Sequence, residues 1–237
     1  MKFNQTYRNK MLTVLNNTEI PEKFSLSSPS KISLIKDRAF SLPAGPDFTC
    51  PGATESCVGC YAQKGRHIFG PVQALFARNF ALMRSYEQEG NVAGCAADLL
   101  AAIPANAPLF RIHESGDFHS QFAIDVWTKV VAARPQTAFW AYTRSFKLNF
   151  HKLIDLPNMT LWASTDPYNC DAAQTFVGKH PGVKFAIGPL EDEAAQPEHS
   201  FICPVTSGKL VVDGACEKCQ LCVHSDRTTK NVVFLKH

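Results

Sequence analysis

The sequence predicts an α/β fold, a partial or open parallel β/α barrel with a cysteine-rich C-terminal extension, and three observations carry that reading. Helical and strand-like windows alternate from about Phe69 onward. The strand windows are nearly continuously apolar, as strands covered on both faces are. Four cysteines then gather close to the end of the sequence. The expected division is a barrel over residues 1–195 that carries a first cysteine group, and an extension over residues 196–237 packed on it.

Taken in order, residues 32–35 and 40–42 are short strand candidates. Residues 72–88 place Leu75, Phe76, Phe80, Leu82 and Met83 roughly on one helical face, and residues 92–103 continue in Ala/Leu-rich helix until Pro104 stops it. A strand is expected over residues 109–113, then a helix over 122–133 ended by Arg134 and Pro135, then a strand over 138–142. The alternation repeats with a helix over 146–155, a strand over 159–163, a helix over 170–179 and a strand over 183–187. In such folds ligands gather at the carboxyl ends of the strands.

With 237 residues, 45% of them apolar, the chain buries a sizeable core. The net charge of +3 is scattered, without a run of basic residues. Asp213, Glu217 and Asp226 interrupt the basic residues of the tail, so nucleic acid is not an expected partner. No window reaches the length of an apolar membrane span and no secretory stretch opens the sequence, which predicts a cytoplasmic protein with no membrane partner. Nine cysteines in that setting are read as reduced thiols.

Seven of the nine fall in two windows. Cys50, Cys57 and Cys60 form C-x6-C-x2-C, a set of three thiolates that leaves one metal coordination position open. Cys216, Cys219 and Cys222 form an overlapping C-x2-C-x2-C run with Cys203 as natural fourth ligand, a spacing that suits a ferredoxin-like cluster. The expected cofactors are one or two 4Fe-4S clusters, with a 3Fe-4S form or zinc as the alternative at one group. At the first group a zinc ion would be completed by His67 or by a cysteine from elsewhere in the fold. Cys95 and Cys170 stand alone and are read as small buried hydrophobes.

The cysteine loop ending in Cys60-Tyr61-Ala62, the segment Arg111-Ile112-His113-Glu114-Ser115-Gly116-Asp117-Phe118 and the strand end Tyr142-Thr143-Arg144-Ser145 resemble the phage-encoded gene product 88 family and, more distantly, the radical S-adenosylmethionine superfamily. The second resemblance implies a 4Fe-4S cluster on Cys50, Cys57 and Cys60, S-adenosylmethionine chelating its open iron, and reductive cleavage to a 5′-deoxyadenosyl radical fed by an electron donor. Ser115, Gly116 and Asp117 stand where that superfamily binds the methionine amino group. The loop has three residues more between its first two cysteines than the superfamily's usual C-x3-C-x2-C, and no Gly-Gly-Glu-type stretch.

His113, Glu114, Asp117 and His119 crowd one strand end, and with Arg144 they are the candidate catalytic groups. Ser115, Gly116, Tyr142 and Asp166 are the candidate cofactor-binding residues. The structural alternative is that Ser115, Asp117 and Ser120 cap the following helix and that Asp166 caps a turn. Alternation along the strand puts Arg111 and His113 on one face. Three functions follow: a radical enzyme acting on a small-molecule substrate, a non-redox hydrolase or lyase using the open iron as a Lewis acid, and a zinc- or cluster-stabilised binding module without catalysis.

Overall fold

A computed structural model describes residues 4–224 and 227–236, so Asp226 lies outside the described residues. Six strands form one open sheet: β1 (Leu109–Arg111), β2 (Ala138–Thr143), β3 (Met159–Thr165), β4 (Lys184–Leu190), β5 (Ser200–Ile202) and β6 (Asn231–Leu235). Their order is β1-β2-β3-β4-β6-β5 and every pairing is parallel, with Phe110 opposite Phe139, Trp140 opposite Thr160 and Ile187 opposite Val233. The helices are α1 (Gln5–Asn16), α2 (Gly70–Gln88), α3 (Val92–Ala102), α4 (Gln121–Ala132), α5 (His151–Ile154), α6 (Cys170–Lys179) and α7 (Ala215–Cys219). None among the described residues is long and apolar enough to cross a membrane.

Strand alternation sorts the side chains onto two faces. Phe110, Ile112, Phe139, Ala141, Leu161 and Ala163 point to one side and pack with Phe80, Met83, Leu99, Trp127, Phe150 and Phe176 of the region α2 to α6. Leu109, Trp140 and Tyr142 point the other way, toward Ile32, Val223, Cys216 and Cys222. Trp162, Ala186 and Val232 continue that second face against Cys203 and Cys222. One face is therefore sealed by helices and the other by the tail.

Residues 40–42 do lie beside the sheet: Phe40 N donates to Arg111 O at 3.0 Å and Leu42 N to Ser115 O at 2.9 Å, along the outer edge of β1. Residues 32–35 are turns instead of the predicted strand. The carbonyls of Ser30, Lys31 and Ile32 accept from Gly214, Cys216 and Glu217 N–H groups, so the segment's hydrogen bonds go to the tail. The helix expected over 146–155 shrinks to α5, because Ser145 N turns back to Thr143 Oγ1 and His151 N to Asn149 Oδ1, local bonds that compete with helix. Strand β1 stops at Arg111, two residues before His113 takes a left-handed φ of 54°. Helix α1, N-capped by Asn4, and the tail elements β5, α7 and β6 were not among the predicted elements.

Candidate functional site

The first cysteine group sits over the carboxyl ends of β1, β2 and β3. Gly45 N donates to Cys50 Sγ at 3.3 Å and Thr54 N to Cys57 Sγ at 3.5 Å, so backbone N–H groups already point at two of the three sulfurs. The loop is fastened by close approach. A side chain at Gly52 would place its Cβ 2.0 Å from the Arg144 carbonyl oxygen, and one at Gly116, φ 86°, would meet Thr49 Oγ1 at 2.5 Å. Thr54 Oγ1 donates to Asp166 Oδ2 at 2.6 Å, and Arg144 Nε reaches the same oxygen at 3.2 Å. Asp166 also accepts from Tyr168 N, so it serves as turn residue and rim anion together.

Buried Asp117 ties the strand ends to each other, accepting from Phe118 N at 2.7 Å and Arg144 N at 2.8 Å. Burial pushes its carboxyl up to about 6, against those donors and the Arg144 charge. Ser120, not Asp117, caps α4. Ser115 Oγ donates to Leu42 O and holds the edge segment.

Glu114 is 4% exposed and joins the two cysteine regions. His67 Nε2 lies 3.1 Å from its Oε2, Lys31 Nζ 3.8 Å from its Oε1, and the Tyr61 hydroxyl donates to its carbonyl. Burial raises its carboxyl, but the His67 hydrogen bond and the Lys31 and Arg111 charges outweigh it and hold the group below the ordinary range. His67 is thus engaged by Glu114 through Nε2. Tyr61, Thr54 and Lys31 were missed in the sequence as site residues; Tyr61 follows Cys60 and Thr54 lies between Cys50 and Cys57, a proximity that was a usable signal.

His113 and His119 do not join this group. The left-handed backbone at His113 breaks strand alternation, so its ring leaves the Arg111 side and packs among Phe40, Phe118 and Trp127 in the helix-covered core. Neither ring nitrogen has a hydrogen-bond partner among the described residues, and burial pushes its pKa down to about 3. His119 faces the Phe80 ring and pairs with Glu87 at 3.3 Å.

The tail group covers the second face. Cys203 N donates to Val233 O at 2.8 Å at the end of β5, and α7 carries Cys216 and Cys219 between left-handed Gly214 and Gln220. Trp162 Nε1 donates to Cys222 O at 2.9 Å and Thr160 Oγ1 to Val223 O at 2.8 Å, pinning the turn to β3. All nine cysteines are free thiols. Within each group the thiols feel one another's charge, and burial pushes Cys50, Cys60 and Cys216 up and Cys222 up to about 12. Arg144 and Lys64 oppose this at Cys60, and Arg111 and Lys31 at Cys216.

Among the described residues no group of three or more His, Cys, Asp or Glu is arranged to hold a metal ion. A zinc tetrathiolate needs all four sulfurs about 2.3 Å from one point; a cluster spreads its ligands over several irons. Of the lone cysteines, Cys95 is buried as expected. Cys170 is exposed at the start of α6, correcting its reading as a core residue.

A family model described as Gene product 88 matches residues 2–225. The Gene 88 protein of Mycobacterium phage L5 is 31% identical over 209 residues, covering 83% of this chain and 85% of that protein. The Gene 88 protein of Mycobacterium phage D29 is 30% identical over 216 residues, with the same coverage. No solved structure matches.

Proposed function

This chain belongs to the gene product 88 family, and we propose that it is an iron-sulfur enzyme with a three-cysteine cluster at the carboxyl edge of the sheet and a four-cysteine cluster on the tail-covered face. The observation that supports the reading is that the free thiols of each group lie within reach of one another's charge, with backbone N–H groups directed at Cys50 and Cys57. The donor type fits: soft thiolates select iron-sulfur clusters or zinc.

A cluster on three protein thiolates supplies one iron open to a substrate or to S-adenosylmethionine. The chain's own residues would do the rest. Arg144, fixed by Asp166 and by its own N–H on Asp117, presents a guanidinium beside Cys60 for an anionic substrate group. Glu114, paired with His67 and bonded at its carbonyl by the Tyr61 hydroxyl, would hold a carboxylate-imidazole pair close to the residue that follows Cys60. A second reading, with the open iron as a Lewis acid for hydrolysis or elimination, is favoured by the longer first spacing and the missing Gly-Gly-Glu-type stretch.

The test is iron and acid-labile sulfide per chain in anaerobically purified protein, with electron paramagnetic resonance after dithionite reduction, with and without S-adenosylmethionine. Two cluster signals are expected, of which Cys57→Ala removes one and Cys219→Ala the other. A signal that changes with S-adenosylmethionine supports the radical version, and an unchanged one supports the Lewis-acid version. Protein that carries zinc, or no metal, in both groups overturns the proposal.

A further inference from the structure

We propose that the groove between α1 and α2 binds single-stranded nucleic acid, with Lys10, Arg66 and Arg78 on the phosphates and Phe69 stacked on a base. Such binding needs nothing at the cysteines, so its failure and that of the cluster reading are distinguishable.

No run of basic residues marks this face in the sequence, because its cations come from two helices and the turn that leads into α2. Residues 4–18 and 56–86 hold six of the 24 Lys and Arg and none of the 21 Asp and Glu, which leaves the rest of the chain with an excess of acid. The fold brings the two segments together, as Tyr7 and Met11 of α1 pack with Phe76 and Ala77 of α2. The helices run in the same direction: Lys10 Nζ donates to Ile68 O at 2.8 Å at one end, and Asn17 and Arg78 line one groove at the other. That groove has a volume of about 540 Å³. Spacings of three and four residues put Lys10, Thr13 and Asn17 on one stripe of α1 and Ala74 and Arg78 on one stripe of α2.

Among the described residues no carboxylate is in ion-pair contact with Lys10, Arg66 or Arg78, whereas Asp47 is taken up by Arg8 at 2.8 Å. Glu19 is the single acid among the lining residues, at the Arg78 end. Cations gathered on one face without acids attract a polyanion. Phe69 selects which polyanion. It stands at the start of α2, at the Lys10 end and three residues after Arg66, and is 57% exposed. An aromatic ring held in the open among cations offers a stacking platform to an unpaired base. From Phe69 to Arg78 the helix rises ~14 Å at ~1.5 Å per residue, room for about four nucleotides of a stacked strand at ~3.4 Å each. The polar Thr13 and Asn17 on the α1 stripe favour this ligand over a lipid surface, which calls for an apolar face.

The experiment is fluorescence anisotropy of a labelled oligothymidylate titrated with the full chain at several salt concentrations. Affinity is expected to fall with salt at a log–log slope near about −2, for about three phosphate contacts at ~0.7 each. Arg78→Gln and Lys10→Gln should each weaken binding about fivefold and make the slope shallower by about 0.7. Phe69→Ala should weaken it about tenfold with the slope unchanged, since a stacked ring releases no counterion. Lys179→Gln, the same loss of charge on α6, should change neither. All four side chains are exposed, so the variants are expected to keep the circular dichroism of the unaltered chain. Absence of binding at low salt overturns the proposal, and so do equal losses for Lys179→Gln and Arg78→Gln. Tighter binding of a duplex with Phe69→Ala silent, or binding to phosphatidylserine vesicles without binding to the oligonucleotide, gives the face to another polyanion and overturns it as well.

Discussion

The two faces of the sheet are built on different principles. On the helix-covered face Phe110, Phe139 and Leu161 meet Trp127, Phe150 and Phe176 in an apolar layer whose aromatic rings pack edge to face. On the tail-covered face the same strands present Arg111, Tyr142, Thr160 and Trp162, and what covers them is a cysteine-rich turn held by single hydrogen bonds. The first face stabilises through close packing. The second exposes polar and sulfur groups to one another at a modest cost in stability, because the first has already fixed the strands.

The contrast predicts a graded set of effects. Trp127→Ala on the helix side should cost about 3–5 kcal/mol of unfolding free energy, read from the shift of a denaturant midpoint. Gly52→Ala, at the junction of the cysteine loop with β2, should cost about 1–3 kcal/mol because the Arg144 carbonyl must move. Hydrogen exchange should show that loss confined to residues 45–60.

The pH response separates the helix-covered core from the strand-end rim by sign. His113, with its pKa lowered to about 3, takes up its proton on unfolding below pH 6.5, so its contribution to stability is lost as pH falls. Asp117, raised to about 6 from 3.8, loses stability as pH rises through that window. Each slope is about 1.4 kcal/mol per pH unit, and between about pH 4 and 6 the two oppose each other. His113→Phe should uncover the falling-with-pH slope and Asp117→Asn the rising one, in chemical denaturation at half-unit steps. Slopes of the same sign in both variants would break the assignment.

The smallest effect is expected from Trp162→Phe, about 1 kcal/mol for the hydrogen bond to Cys222, read from the shift of a denaturant midpoint. If it costs as much as Trp127→Ala, the two faces are energetically alike and the comparison fails.

Much of this layout was legible in the sequence, for stated reasons. The windows over 72–88, 92–103, 122–133 and 170–179 carry periodic apolar residues with clear stops, and the strands over 138–142 and 159–163 are continuous apolar runs; all appear with shifts of a few residues at their ends. The tail strands were missed because cysteine spacing dominates that region and hides Ser200–Ile202 and Asn231–Leu235. Asp117, Arg144 and Asp166 do come together at the rim, while Glu114 pairs with His67 and Lys31 instead. His113 and His119 do not, because a single left-handed residue redirects the chain, and no periodicity encodes a positive φ at a histidine.

The position of β6 between β4 and β5 sets an order of events during synthesis. Strand β5 is translated before β6 yet pairs within the sheet only through it. Cys203, whose N–H is bonded to Val233, therefore has no fixed place until the chain beyond residue 231 has left the ribosome. The helix-covered half can settle while translation continues, whereas the tail thiols come into register only after β6 has emerged. The four tail thiols therefore take their final relative places only once that strand has been made.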